Sequence, residues 1–257
     1  VEYFIIAFVA AFASLLTFFS GFGLGTILTP AFMLFFPIEV AIALTGIVHL
    51  LNNLFKMGLV GLKANWGVVL RFGGPAILGA IAGATLLLRF SVSKPIYVYE
   101  LFGYQMEVFT VNLVVAILMA FFALFEIIPA FKKMEFKKNK LMMGGVISGF
   151  FGGLSGHQGA LRSAFLIRYG LSKEVFIATG IIIASFIDIT RLGLYFARMK
   201  EINVQENLPI LVTAVLSAFL GAYFGQKLLK KVTLDFVQWT VAIMILVLSV
   251  LLGMGAI

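Results

Sequence analysis

Long runs of apolar residues dominate the chain, and their lengths predict its elements. Runs over Ile38–Leu62, Gly67–Phe90, Val108–Phe131, Glu174–Ala197, Leu208–Leu228 and Phe236–Ile257 are each long enough to carry a helix across a hydrocarbon layer about 30 Å thick. Two further regions are apolar but interrupted. Val1–Phe36 is broken by Ser20-Gly21-Phe22-Gly23-Leu24-Gly25 and by Pro30. Leu141–Tyr169 is broken by Gly152-Gly153-Leu154-Ser155-Gly156-His157-Gln158-Gly159.

The interruptions occupy corresponding places. Ala43-Leu44-Thr45-Gly46 follows the first and Ile177-Ala178-Thr179-Gly180 the second, and each stretch leads into a polar helix ending at Gly58 or Gly193. The pattern reads as an all-α polytopic membrane protein built from two repeats, residues 1–131 and 141–257, joined by a basic linker over 132–140. Each repeat is a glycine-broken hairpin followed by three transmembrane helices. Interrupted segments at matched positions of two halves point to a transporter's binding site.

Composition agrees. Of 257 residues, 62% are apolar and 12% charged, against roughly 25% charged in an ordinary soluble domain. A soluble fold could not hide that much apolar surface in one core. Val1–Phe19 has no positive residue ahead of its apolar run and does not read as a signal peptide. The absence of cysteine excludes disulfides, thiolate chemistry and Cys-type zinc sites. No metal cluster, nucleotide motif or Ser-His-Asp constellation occurs at usable spacing, so neither an enzyme nor a cofactor is expected.

The net charge of +8, from 19 Lys and Arg against 11 Asp and Glu, needs no nucleic-acid partner, because cytoplasmic loops of membrane proteins collect basic residues. That rule places the linker and Lys63 inside, and the Ser91–Glu107 loop, with its single Lys94, outside. If each broken region enters and leaves on one side, Arg168, Lys173, Lys227, Lys230 and Lys231 fall inside and Arg198–Glu206 outside. A single crossing would instead put Lys230 and Lys231 outside. The first arrangement makes the two repeats inverted in topology, with both termini outside the inner (plasma) membrane of a bacterium.

The second break carries the richest chemistry. Glycines let the backbone leave helical geometry, and a restarting helix offers free N–H groups to an anion. His157, Gln158, Gly159 and Ser163 surround that point. Arg162, one turn on, adds a fork-shaped cation suited to oxyanions. A charge at membrane depth is costly, so it is a functional candidate, the alternative being a snorkelling or structurally paired arginine. The first break offers backbone N–H groups and the hydroxyls of Thr26 or Thr29, with Pro30 expected in the first turn of its restarted helix; close packing through glycine would explain it equally. It lacks the lysine of a phosphate loop.

On the following span, His49, Asn52, Asn53 and Lys56 recur at three- and four-residue spacing and share a face. Asp188 and Arg191 stand at i, i+3 on the matching span and can pair, as a structural ion pair or as part of the site. His49, His157 and Asp188 are candidate proton carriers. Arg71 is expected to snorkel. Small-residue patterns at Gly79/Gly83 and Ser217/Gly221/Gly225 predict tight helix contacts, within one chain or in a homodimer.

Together, the glycine loop Ser20–Thr26 with Pro30, the Ala43–Gly46 stretch and its polar helix, and their repetition at Gly149–Ser163 and Ile177–Gly193 resemble the sulfite exporter TauE/SafE family of membrane anion transporters. The resemblance implies two repeats and export of sulfur-containing or carboxylate anions such as sulfite, sulfoacetate or related organosulfonates. The family's second glycine loop often ends in proline, whereas this one reads His157-Gln158-Gly159-Ala160-Leu161-Arg162. Arg, His and Gln together suit a sulfonate with a second anionic end, which favours a sulfoacetate-like substrate over sulfite. The expected partners are that small anion and the lipid bilayer, and the expected mechanism is alternating access around a midplane site. An anion channel and a subunit of a membrane enzyme complex are the rival readings.

Overall fold

Helices form where the apolar runs predict them. The computed structural model describes residues 1–18, 23–60, 63–90, 94–128, 130, 136, 138–166, 169–198, 206–228 and 234–256. Ser20–Phe22 of the first break, Arg168, Lys230, Lys231 and most of the 132–140 linker lie outside the described residues. The elements are α1 (Glu2–Leu16), α2 (Leu24–Met33), α3 (Ile38–Val60), α4 (Trp66–Phe90), β1 (Tyr97–Leu101), β2 (Tyr104–Val108), α5 (Thr110–Ile127), α6 (Leu141–Ser155), α7 (Gly159–Leu166), α8 (Lys173–Arg198), α9 (Leu208–Leu228) and α10 (Leu234–Gly253). Helices α3, α4, α8 and α9 are long and apolar enough to cross a membrane. At 15 residues, α1 and α6 each rise about 22 Å, short of a full hydrocarbon layer.

The breaks are made by glycine. Gly23, at the N-terminus of α2, has φ of 108°, and a β-carbon there would lie 2.8 Å from Thr17 Cγ2. Gly156, which ends α6, has φ of 81°. Both torsions are ones that L side chains resist. The two breaks abut, since a β-carbon on Gly25 would sit 3.4 Å from the Gly156 carbonyl oxygen.

Two expectations need correction. Pro30 lies inside α2 rather than in its first turn, because the helix already restarts at Leu24. Having no N–H, Pro30 cannot bond the Thr26 carbonyl one turn back. The segment read as an outside loop over Ser91–Glu107 contains an antiparallel hairpin, pairing Tyr97 with Val108 through to Leu101 with Tyr104. Its Tyr- and Val-rich alternation has the period of a strand. Phe102 and Gly103 close it with φ of 53° and 81°, the torsions of a tight primed turn.

Small residues bring backbones together. A β-carbon on Gly79 or Gly83 of α4 would fall 2.1 or 2.0 Å from the carbonyl oxygens of Val146 or Phe150 on α6. One on Gly145, Gly149 or Gly153 of α6 would fall 2.2, 2.0 or 2.2 Å from those of Phe72, Ala76 or Ala80. On α9, Gly221 meets the Ala11 carbonyl of α1 at 2.1 Å in the same sense. Both predicted small-residue stripes are therefore used within the chain. Such close approach is how helices associate without a hydrophobic driving force between them. The pairings correspond across the two halves: α1 packs on α9 as α6 packs on α4, α3 on α9 as α8 on α4, while α3 crosses α8 and α5 lies against α10.

Outward faces are apolar. Phe4, Phe8, Leu78, Ile117, Leu216 and Val247 are exposed, as suits helices in lipid.

Candidate functional site

The polar side chains turn inward where α3 crosses α8. On α3, His49, Asn52, Asn53 and Lys56 are all buried; on α8, Asp188, Arg191 and Tyr195 are buried. The helical repeat puts each set on one face, and apolar residues at the other positions direct that face away from lipid.

Asp188, with no exposed surface, is the hub. Its Oδ2 lies 2.6 Å from His49 Nδ1. Its Oδ1 accepts from Gln158 Nε2 at 3.2 Å and Arg191 Nε at 3.1 Å, and Arg191 Nη2 lies 2.9 Å from the same oxygen as an ion pair. A buried carboxylate is tolerated when it is paired and its acceptor sites are filled. The hub joins three segments: α3, α8 and the α6–α7 break. Tyr195 adds a further tie, its hydroxyl donating to the Gly153 carbonyl at 2.5 Å.

Beside the hub is a cavity lined by Thr17, Phe18, Leu24, His49, Asn53, Lys56, Arg162, Ile177 and Ile181, of about 10 Å³. That is room for about one water, so a larger solute enters only after the walls part. Lys56 Nζ stands 5.7 Å above the Phe18 ring centroid, a cation–π distance. Arg162 is 3% exposed and does not reach the surface. Among the described residues, the buried charged groups comprise Lys56, Arg162 and Arg191 against the single carboxylate Asp188, besides two histidines. Three buried cations thus accompany one buried carboxylate, and Lys56 and Arg162 line the cavity, where low dielectric strengthens their pull on an anion.

Some buried polar atoms have no hydrogen-bond partner among the described residues: Asn52 Nδ2, His157 Nε2, Gln158 Oε1, Arg191 Nη1 and the hydroxyls of Thr29 and Thr45. Each such group costs about 1–3 kcal/mol.

The structure brings four of the sequence-based candidates, His49, Asn53, Lys56 and Arg162, to one cavity. Gln158 and Arg191 join the Asp188 hub instead. Asn52 turns toward α1, accepting from Ser14 Oγ at 3.1 Å. His157 is not on the cavity lining. Its Nδ1 lies 2.9 Å from the Ser155 carbonyl, and its ring stacks on Phe122 with centroids 5.7 Å apart. Gly159 begins α7 and is buried, Ser163 is half-buried on α7, and Thr26 is buried on α2; none lines the cavity. Arg71 is exposed, as a snorkelling side chain would be. Sequence reasoning missed Thr17, Phe18 and Leu24, which carry no polar pattern. It also missed Tyr195, which the four-residue step from Arg191 could have flagged.

A family model described as sulfite exporter TauE/SafE matches residues 6–252, nearly the whole chain. The chain belongs to this family. No curated protein and no solved structure matches it. The TauE/SafE match spans both helix breaks, the α3–α8 crossing and every residue on the cavity wall. It identifies a multi-pass membrane protein of a sulfur-anion exporter family, in agreement with the cationic cavity. A transporter family also accords with the non-enzymatic character read from the sequence.

Proposed function

We propose that this TauE/SafE protein is a secondary transporter that exports small sulfur-containing anions, with sulfoacetate-like organosulfonates favoured and sulfite next. The observation that carries this reading is the cavity that both Lys56 and Arg162 line, in a core where the described residues bury Lys56, Arg162 and Arg191 against the carboxylate of Asp188. An arginine fork can take two oxygens of a sulfonate, while Lys56, on the same cavity's lining, supplies the second positive charge for a dianion. Asn53 contributes a neutral donor. Asn52, Gln158, Gly159, Ser163, His157 and Thr26 would join as the breaks open, since the cavity holds only about one water in this closed arrangement.

The cycle we propose is alternating access between two inverted repeats, residues 1–131 and 141–257, in the inner membrane of a bacterium with both termini outside. The corresponding pairings α1–α9 and α6–α4 support it, because each repeat then lends its broken hairpin to the other. An inside-negative potential favours outward movement of net negative charge.

Flux of sulfoacetate, sulfite, sulfate and taurine from proteoliposomes, with wild type and Arg162→Ala side by side, tests the reading. Saturable, counterflow-competent flux that Arg162→Ala abolishes is expected. Flux that does not saturate would make the protein a channel. Flux indifferent to Arg162 would move the site elsewhere.

A further inference from the structure

The hydrogen bonds around Asp188 separate the roles of the titratable groups at the cavity. Asp188 is met by four donor contacts and has no exposed surface. It acts as an acceptor; Asn53 Nδ2 stands 3.3 Å from the same His49 nitrogen, but the 2.6 Å contact with the carboxylate is much the shorter and the charged one, so that nitrogen carries the hydrogen. The neutral ring therefore keeps its lone pair on Nε2. The His49 side chain retains 11% exposure where Asp188 has none, and it lines the cavity with Arg162 and Lys56. His157 is turned onto Phe122 and Ser155 and does not line that cavity. A histidine set between a buried carboxylate and a polar chamber can gain a proton on its outer nitrogen while the carboxylate balances the charge.

We propose that His49 is a proton-binding site of the transport cycle, taking one proton from the cavity at Nε2 and carrying it together with the anion. Nδ1–H stays bonded to Asp188, so the only bond made on loading is Nε2–H, and the same bond breaks on release to water at the other side. The charged and titratable groups around His49 are Asp188 and Arg191 from α8, Arg162 from α7 and Lys56 from its own helix. Thr17, Phe18 and Leu24, on the remaining wall, carry no charge. An anion held between Arg162, Lys56 and His49 favours the protonated ring, and by linkage the protonated ring favours the anion to the same degree. Co-transport rests on the anion reading above, whereas the tautomer and proton uptake of His49 do not.

The chain has two histidines, so protein labelled with NMR-active nitrogen in histidine and held in lipid nanodiscs gives two ring spectra, assigned with His157→Gln. We expect His49 to carry its hydrogen on Nδ1 when neutral, to gain a proton at Nε2 as the pH falls, and to become more protonated when sulfate is added at fixed pH. A neutral ring with its hydrogen on Nε2, or a ring that never gains a second proton while the protein stays folded, overturns the proposal. So does a protonated fraction that sulfate leaves unchanged. Calorimetry on the same sample separates the two failures. Sulfate binding with an unresponsive His49 sinks this inference alone, and binding of none of sulfate, sulfite and sulfoacetate sinks the anion reading too. In His49→Gln, the proton uptake that accompanies sulfate binding should vanish.

Discussion

His49 Nδ1 lies 2.6 Å from Asp188 Oδ2 although the residues are 139 positions apart. This bond joins the polar helix of the first half to that of the second. With Arg191 and Gln158 on the other oxygen, the pair anchors the α3–α8 crossing beside which the cavity lies.

Removing the carboxylate should therefore destabilise the fold. Asp188→Leu leaves the Arg191 guanidinium buried without its counter-charge, at a cost of about 3–5 kcal/mol. A clearly lower thermal midpoint in detergent is the expected result. Adding Arg191→Met should recover most of the loss, since the second change removes the stranded charge. If the double variant melts as low as the single, the ion pair is not what holds the crossing.

Lys56 should behave in the opposite way. It forms no ion pair among the described residues and rests on the Phe18 ring, so Lys56→Met should leave the thermal midpoint unchanged or raise it. Anion affinity should fall by about tenfold, the equivalent of roughly 1.4 kcal/mol, with Lys56→Arg restoring part of it. Equal flux in Lys56→Met and wild type would remove Lys56 from the site.

Gly156 and Gly103 share a φ of 81° but not their surroundings. At Gly156 a β-carbon would stand 3.0 Å from Arg191 Nη1, whereas at Gly103 nothing lies within 4 Å. Alanine at either position bears a left-handed backbone cost of about 1–2 kcal/mol. Gly156→Ala should additionally displace Arg191 and lower transport severalfold, while Gly103→Ala leaves transport intact. Initial flux rates normalised to folded protein would distinguish them.

The α4–α6 contact is set by backbone proximity. A β-carbon on Gly149 would sit 2.0 Å from the Ala76 carbonyl oxygen, so Gly149→Leu must force the helices apart. Loss of monodisperse protein on size exclusion is expected. At Gly58, which has nothing within 4 Å, alanine should be tolerated. Full tolerance of Gly149→Leu would contradict the packing described.

Much of the architecture was legible in residue order. Span lengths, the two breaks and the polar faces of α3 and α8 are local properties, because burial in lipid demands long apolar runs and a helix repeats its face every 3.6 residues. Asp188 and Arg191 could be paired on paper for the same reason, being one turn apart. The hairpin over Tyr97–Val108 is the exception: strands of five residues carry an alternation too short to stand out between two long apolar runs.

Which faces meet is a different kind of information. Nothing near His49 in the chain announces Asp188 as its partner, nor that Gln158 would join the hub while His157, one residue earlier, turns away onto Phe122. Phe18 reaches Lys56 only through tertiary packing, since the two are 38 positions apart in the chain. Helical periodicity specifies a direction from one axis, whereas a site requires several axes to be placed at once. Here that placement comes from glycine-mediated backbone contacts and from the need to satisfy one buried carboxylate, both of which act between residues far apart in the sequence.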